Sequence, residues 1–163
     1  MFREMRRKKQ RLSTNQSIAV LERGTSGVLA LSGDNGYPYA VPLSYVYKDN
    51  KIFFHCAYSG HKIEAIRQNP KVSFCVIDKD QIVPESFTTY YRSVIIFGNA
   101  RILENEKEKR YALETLAAKY SPEHQQGRMQ EIDTLFEQTC MVEIEIEHLS
   151  GKEAIELTQE RGS

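Results

Sequence analysis

The sequence predicts a small antiparallel β-barrel with helices in its connections. Two observations carry this. Three short runs rich in apolar and β-branched residues, GVLALS (27–32), YPYAVPLSYVY (37–47) and KIFFHC (51–56), follow one another across Gly-Asp-Asn-Gly and Lys-Asp-Asn turns, which is the pattern of a meander. Near the other end, CMVEIEIEHL (140–149) alternates, with Val142, Ile144 and Ile146 on one face and Glu143, Glu145 and Glu147 on the other. A strand with one buried face requires that alternation. At 163 residues and 40% hydrophobic, the chain is long enough for one core and too short for two independent ones.

Taken in order, MFREMRRKKQR carries six basic residues before any apolar periodicity, so residues 1–12 are expected to be a basic tail. Ser13, Thr14 or Asn15 can cap a short helix that ends at Gly24 and turns Ile18, Val20 and Leu21 inward. Within the second strand run, Pro38 and Pro42 remove two ladder donors and demand an edge, a bend or a bulge. HKIEAIRQN reads as a helix stopped by Pro70, and KVSFCVI (71–77) as a strand with Val72, Phe74 and Val76 on one face. Residues 78–91 lack periodicity and are expected to form a long loop. RSVIIFGNARIL (92–103) returns to strand with a bulge or bend at Gly98 and Asn99. Residues 106–120 form a clear helix with Leu113, Leu116, Ala117 and Tyr120 on one face. A weaker helix is expected within 121–138, after the Ser-Pro break. Six strands result.

Composition narrows the function. Lysine plus arginine balances aspartate plus glutamate at 22 each, so no global field favours nucleic acid or an anionic membrane. No apolar stretch approaches the ~20 residues of a membrane span, and the N-terminus lacks the apolar region of a signal peptide. Cys56, Cys75 and Cys140 form no CxxC and sit in apolar runs, as buried thiols in a reducing compartment would. A cytoplasmic protein is the expectation. Four scattered histidines form no HxH or HExxH pattern, so no metal site is expected.

The chemistry-bearing stretch is FFHCAYSGHKIEAI (53–66). A strand histidine, His55, is followed by a Ser59-Gly60-His61-Lys62 corner at a helix start. Free N–H groups and a partial positive charge at such a start suit a phosphate, with Lys62 and His61 adding charge. The corner is not a P-loop, and there is no GxGxxG. On these four residues alone it reads equally as a solvated first turn, and His55 as a hydrogen-bonded or solvent-facing strand residue. Tyr91-Arg92-Ser93 opens a strand with an aromatic plane, a planar cation and a hydroxyl, a combination that also fits an ordinary strand start.

Together, GYPYAVPLSYVYKDNKIFFHCAYSGHKIEAIRQNPKVSF, YYRSVIIFGNARIL and the late SGKE resemble the pyridoxamine 5′-phosphate oxidase-related flavoproteins, and among them the nitroimidazole-resistance branch. The resemblance runs from about Gly27 to Glu153. It implies a six-stranded antiparallel split barrel over residues 13–153, a C-terminal tail over 154–163, and a homodimer holding FMN in clefts between its chains. Pro42, Leu43, Ser44 and Tyr45 would lie along the isoalloxazine, Ser59 and Gly60 would form a close-approach corner, and His61 and Lys62 would take the phosphate. Arg92 and Ser93 would add cofactor contacts, and His55 would stand on the substrate side of the ring. The chain closes IELTQERGS instead of the arginine-rich motif with which pyridoxamine phosphate oxidases grip the substrate phosphate, so that specific activity is not expected. The implied activity is FMN-dependent reduction of a small nitroaromatic or quinone-like acceptor with electrons from NAD(P)H. A non-catalytic flavin-binding protein and a haem-binding relative are the alternatives.

Overall fold

The computed structural model describes residues 1–162. Seven strands, β1 (Ser26–Ser32), β2 (Pro38–Ser44), β3 (Val46–Lys48), β4 (Lys51–Cys56), β5 (Lys71–Val83), β6 (Thr88–Ile102) and β7 (Cys140–Glu153), pair antiparallel in the order β2-β1-β5-β6-β7-β4-β3. Five helices accompany them: α1 (Thr14–Arg23), α2 (His61–Gln68), α3 (Glu106–Tyr120), α4 (Gln125–Leu135) and α5 (Ile155–Gly162).

The expected count of six strands becomes seven because the run 37–47 breaks at Tyr45. On one side of the break β2 pairs with β1, and on the other β3 pairs with β4. The ladder is therefore unclosed, yet its two edge strands are consecutive in the chain and joined by one residue. Pro38 and Pro42 sit on the edge strand β2, where missing donors are tolerated. At the bend, Tyr45 is fully buried, and its hydroxyl donates to the Leu21 carbonyl at 2.8 Å.

Inside the sheet, Leu29, Phe54, Phe74, Val94, Ile96, Val142 and Ile144 form the main core. A second core lies outside the sheet, where α3 and α4 bring Ala112, Leu113, Leu116 and Ile132 against Phe53 and Met141. β4 is thus covered on both faces along most of its length, which explains why KIFFHC does not alternate. α1 opens with the expected cap: Ser13 accepts from the Gln16 N–H at 3.2 Å while the Gln16 side chain accepts from the Ser13 N–H at 2.8 Å.

Three expectations are corrected. Residues 78–91 are not a loop: β5 and β6 continue as a paired hairpin with register from Lys79↔Arg92 to Val83↔Thr88, leaving only the turn 84–87. Both faces of this extension meet solvent, so no hydrophobic period marks it. The basic N-terminal stretch is laid against the barrel. The Leu12 N–H donates to the Gly151 carbonyl at 3.0 Å, and Phe2 stacks on His148 at 4.7 Å between ring centroids. β7 runs on to Glu153, and part of the expected C-terminal tail is α5. The bulge expected at Gly98 is present, between Phe97 and Gly98, where a Cβ at Gly98 would come within 2.3 Å of the Glu145 carbonyl oxygen.

Candidate functional site

On β4, Phe53 and His55 point away from the barrel interior, toward the α3–α4 layer. Phe53 is buried there and His55 is exposed. A cleft of about 300 Å³ opens at that position. Leu113, Leu116 and Ala117 of α3 and Ile132 and Leu135 of α4 give it apolar walls, and Ser44, His55, Ser121, Thr139 and Glu131 place polar groups along it. An apolar hollow with a few placed polar groups is the usual form of a small-molecule site. Its far end is fixed by Tyr120, whose hydroxyl accepts from the Tyr45 N–H at 3.0 Å and reaches the carbonyls of Tyr45 and Thr25. Helix α3 is latched in this way to the bend between β2 and β3.

One short loop beyond His55, α2 begins at Gly60, whose φ of +115° lies in a region that side chains disfavour. No side chain caps the helix start, so its first N–H groups stay available. Nothing stands within 4 Å of where a Cβ would be at Gly60, leaving the corner open to close approach. His61 stacks on Tyr39 at 4.2 Å, and its Nε2 lies 3.7 Å from Asp34 Oδ2. Lys62 is half-buried, and among the described residues no carboxylate pairs with it. A half-buried cation beside uncapped N–H groups fits a phosphate in charge and in donors.

The loop between these two places is anchored by a residue that sequence patterning did not single out. Lys109 of α3 is only 5% exposed, and its amine donates to the Tyr58 hydroxyl at 2.8 Å and to the Phe136 carbonyl. It also lies 4.2 Å from the Phe136 ring centroid. A buried lysine in an EKEKR run gives no signal in a sequence, because such runs normally face water.

The other expected residues divide. Pro42 and Ser44 face outward from β2, and Ser44 shares the cleft with His55. Leu43 turns inward against the main core. Tyr45 has both its ring and its backbone engaged, the ring hydroxyl by Leu21 and the backbone by Tyr120. Arg92 is bound into an ion-pair network: it reaches Asp78 at 3.1 Å and Glu153 at 2.9 Å, while Arg23 holds Asp78 at 2.6 Å and Arg161 holds Glu153 at 2.6 Å. Ser93, opposite Lys152 on β7, is half-buried. Arg92 and Ser93 are not brought to the cleft. Among the described residues no cluster of His, Cys, Asp or Glu is arranged to hold a metal ion, and no helix is long and apolar enough to cross a membrane.

A barrel-like antiparallel sheet whose edge strand bends into its own far edge, with one open helix start beside an apolar cleft, defines a split-barrel protein. The chain belongs to the pyridoxamine 5′-phosphate oxidase family, whose model matches residues 13–153. Among solved structures, an FAD-binding protein from Mesorhizobium loti is 30% identical over 89% of this chain and 97% of its own, with a TM-score of 0.65. A protein from Bacteroides thetaiotaomicron named for 5-nitroimidazole antibiotic resistance shares the fold at a TM-score of 0.72 and 17% identity, over 87% of this chain and 85% of that one. An FAD- and haem-binding protein from Mycobacterium smegmatis does so at 0.73 and 19%, over 95% and 80%. No curated protein sequence matches the chain.

Proposed function

We propose that the protein is a flavin-dependent oxidoreductase that holds FMN at the corner formed by Ser59, Gly60, His61 and Lys62 and admits a small nitroaromatic or quinone-like acceptor to the cleft beside His55. The observation that carries this reading is the pairing of a half-buried Lys62, without a carboxylate partner, at an uncapped helix start with an apolar cleft one short loop away. Bound flavin would supply the electron transfer, taking electrons from a nicotinamide donor. The chain's own residues would do the rest: the N–H groups of His61 and Lys62 and the Lys62 amine bind the phosphate, and Pro42 and Ser44 offer an outward edge for the ring. The α3–α4 wall excludes water. His55 meets the acceptor through its imidazole.

Family membership and a relative that binds FAD support the flavin class. The outward sheet face supports a homodimer, because Ile77, Ile95 and Phe97 on neighbouring strands stand 64%, 41% and 41% exposed. Covering that face with a second copy would also enclose a ring laid along β2.

The test is anaerobic incubation of flavin-loaded protein with NADH or NADPH and a nitroimidazole or benzoquinone. Flavin bleaching by a donor, followed by acceptor loss, is expected. Absence of both across donors contradicts a reductase. A second reading, haem binding, draws on the exposed imidazole in the apolar cleft and on the shared fold with a haem-binding protein. A Soret band that appears on haem titration and is lost in His55→Ala would favour it.

A further inference from the structure

We infer that Cys56 and Cys140 form a cross-strand redox pair that closes to a disulfide when the protein meets a peroxide. Cys56 is the last residue of β4, Cys140 is the first of β7, and the two stand directly opposite in the register. Residues opposed in this way have Cα atoms about 4.5–5.5 Å apart. A disulfide spans about 4.4–6.8 Å, so the strand spacing admits one. Both side chains lie on the barrel side of their strands: Cys140 is fully buried in the main core and Cys56 packs against it. Opposed residues share a face of the sheet, whereas Cys75 lies on β5 opposite Ile95 and outside the main core.

The pair is asymmetric. Cys140 is sealed and Cys56 half-buried, so an oxidant reaches Cys56 first. Burial pushes the Cys56 thiol up to about 12, with Lys62 pulling in the opposite direction. The dithiol therefore persists against weak oxidants and yields to peroxide slowly. In the first step the Cys56 sulfur attacks the peroxide O–O bond, which breaks to give Cys56 sulfenic acid and water. In the second, the Cys140 sulfur displaces the sulfenic hydroxyl, forming the S–S bond and releasing a second water. Two electrons leave the thiols and the peroxide is reduced. The product is a covalent brace directly after His55 and at the root of the Ala57–Gly60 loop, so it stiffens the strand end from which the proposed phosphate corner departs. The pairing stands on register alone and does not depend on which cofactor the protein holds.

The purified protein is treated with excess hydrogen peroxide for the time that oxidises a separate glutathione sample completely, then denatured, alkylated with N-ethylmaleimide and mapped by mass. Wild type is expected to fall from three alkylatable thiols to one, with the peptides of Cys56 and Cys140 joined and dithiothreitol restoring all three. Cys75→Ser should retain the joined peptides. Cys140→Ser should lose them and stop at an oxidised Cys56. Three thiols still alkylated, a link through Cys75, or Cys56 advancing to the sulfinic acid while Cys140 stays free would each overturn the inference.

Discussion

At residue scale, two charged groups in contrasting situations make the sharpest predictions. Lys62 has no carboxylate partner among the described residues, so its removal should disturb ligand binding more than folding. Lys62→Ala is expected to weaken FMN by about 1.5–3 kcal/mol, the range of a charge-assisted bond, while riboflavin affinity stays unchanged. Fluorescence titration with both ligands checks this, and equal losses would remove the phosphate from the corner. Glu153 is the opposite case: it is fully buried and held by Arg92 and Arg161. Burial by itself would raise its carboxyl, but the bonds from Arg161 and Arg92 outweigh burial and hold it below the usual range. Asp78 is lowered likewise, chiefly by its bond from Arg23. For carboxylates depressed in the folded state, the stabilisation is complete above their unfolded values of about 4 to 4.5 and is lost as pH falls through the lower folded values. Thermal melts should accordingly be flat in this respect from pH 7 down to about 5 and fall steeply below about 4. Glu153→Gln should lower stability at pH 7 by about 3 kcal/mol and blunt the acid slope, because Arg161 loses its counter-charge and Arg92 keeps only Asp78.

Among the elements, α1 to α4 and the barrel strands were legible, whereas α5 and the strand extensions were not. α3 is legible from Leu113, Leu116 and Ala117 at helical spacing, and the structure adds a cap at Asn105, whose side chain accepts from the Lys107 and Glu108 N–H groups. α1 was legible from Ser13 and Gly24, and Ser13→Ala should lower stability by about 1 kcal/mol in a denaturant titration. Residues 78–83 and 88–91 gave no period because neither face is packed into an apolar core. The break at Tyr45 was hidden because the residues on both sides are good strand formers, and the change of partner strand is a tertiary event. The site was half legible. Small residues and a cation at a helix start announce the Ser59–Lys62 corner, whereas the apolar wall of the cleft looks like core until α3 and α4 are placed. Lys109 ties that wall to Tyr58, so Lys109→Met should leave the barrel folded by circular dichroism yet raise the proteolytic sensitivity of the 57–60 loop. Unchanged cleavage would show that the loop holds itself.

At the scale of the whole molecule, an open sheet carries an outward apolar face that would help enclose the proposed site. Light scattering at micromolar concentration should give twice the chain mass, and Phe97→Glu, set on the outward face opposite Ser73, should shift the protein toward monomer. A wild-type monomer would leave the ring of the flavin without its second wall. The central claim, that the Ser59–Lys62 corner and the cleft beside His55 serve a flavin, is tested most directly by the absorption spectrum of the purified protein, followed by denaturation and mass identification of the released chromophore. The account predicts bands near ~370 and ~450 nm and release of FMN. A colourless protein that also leaves the spectrum of added FMN and FAD unchanged would contradict it.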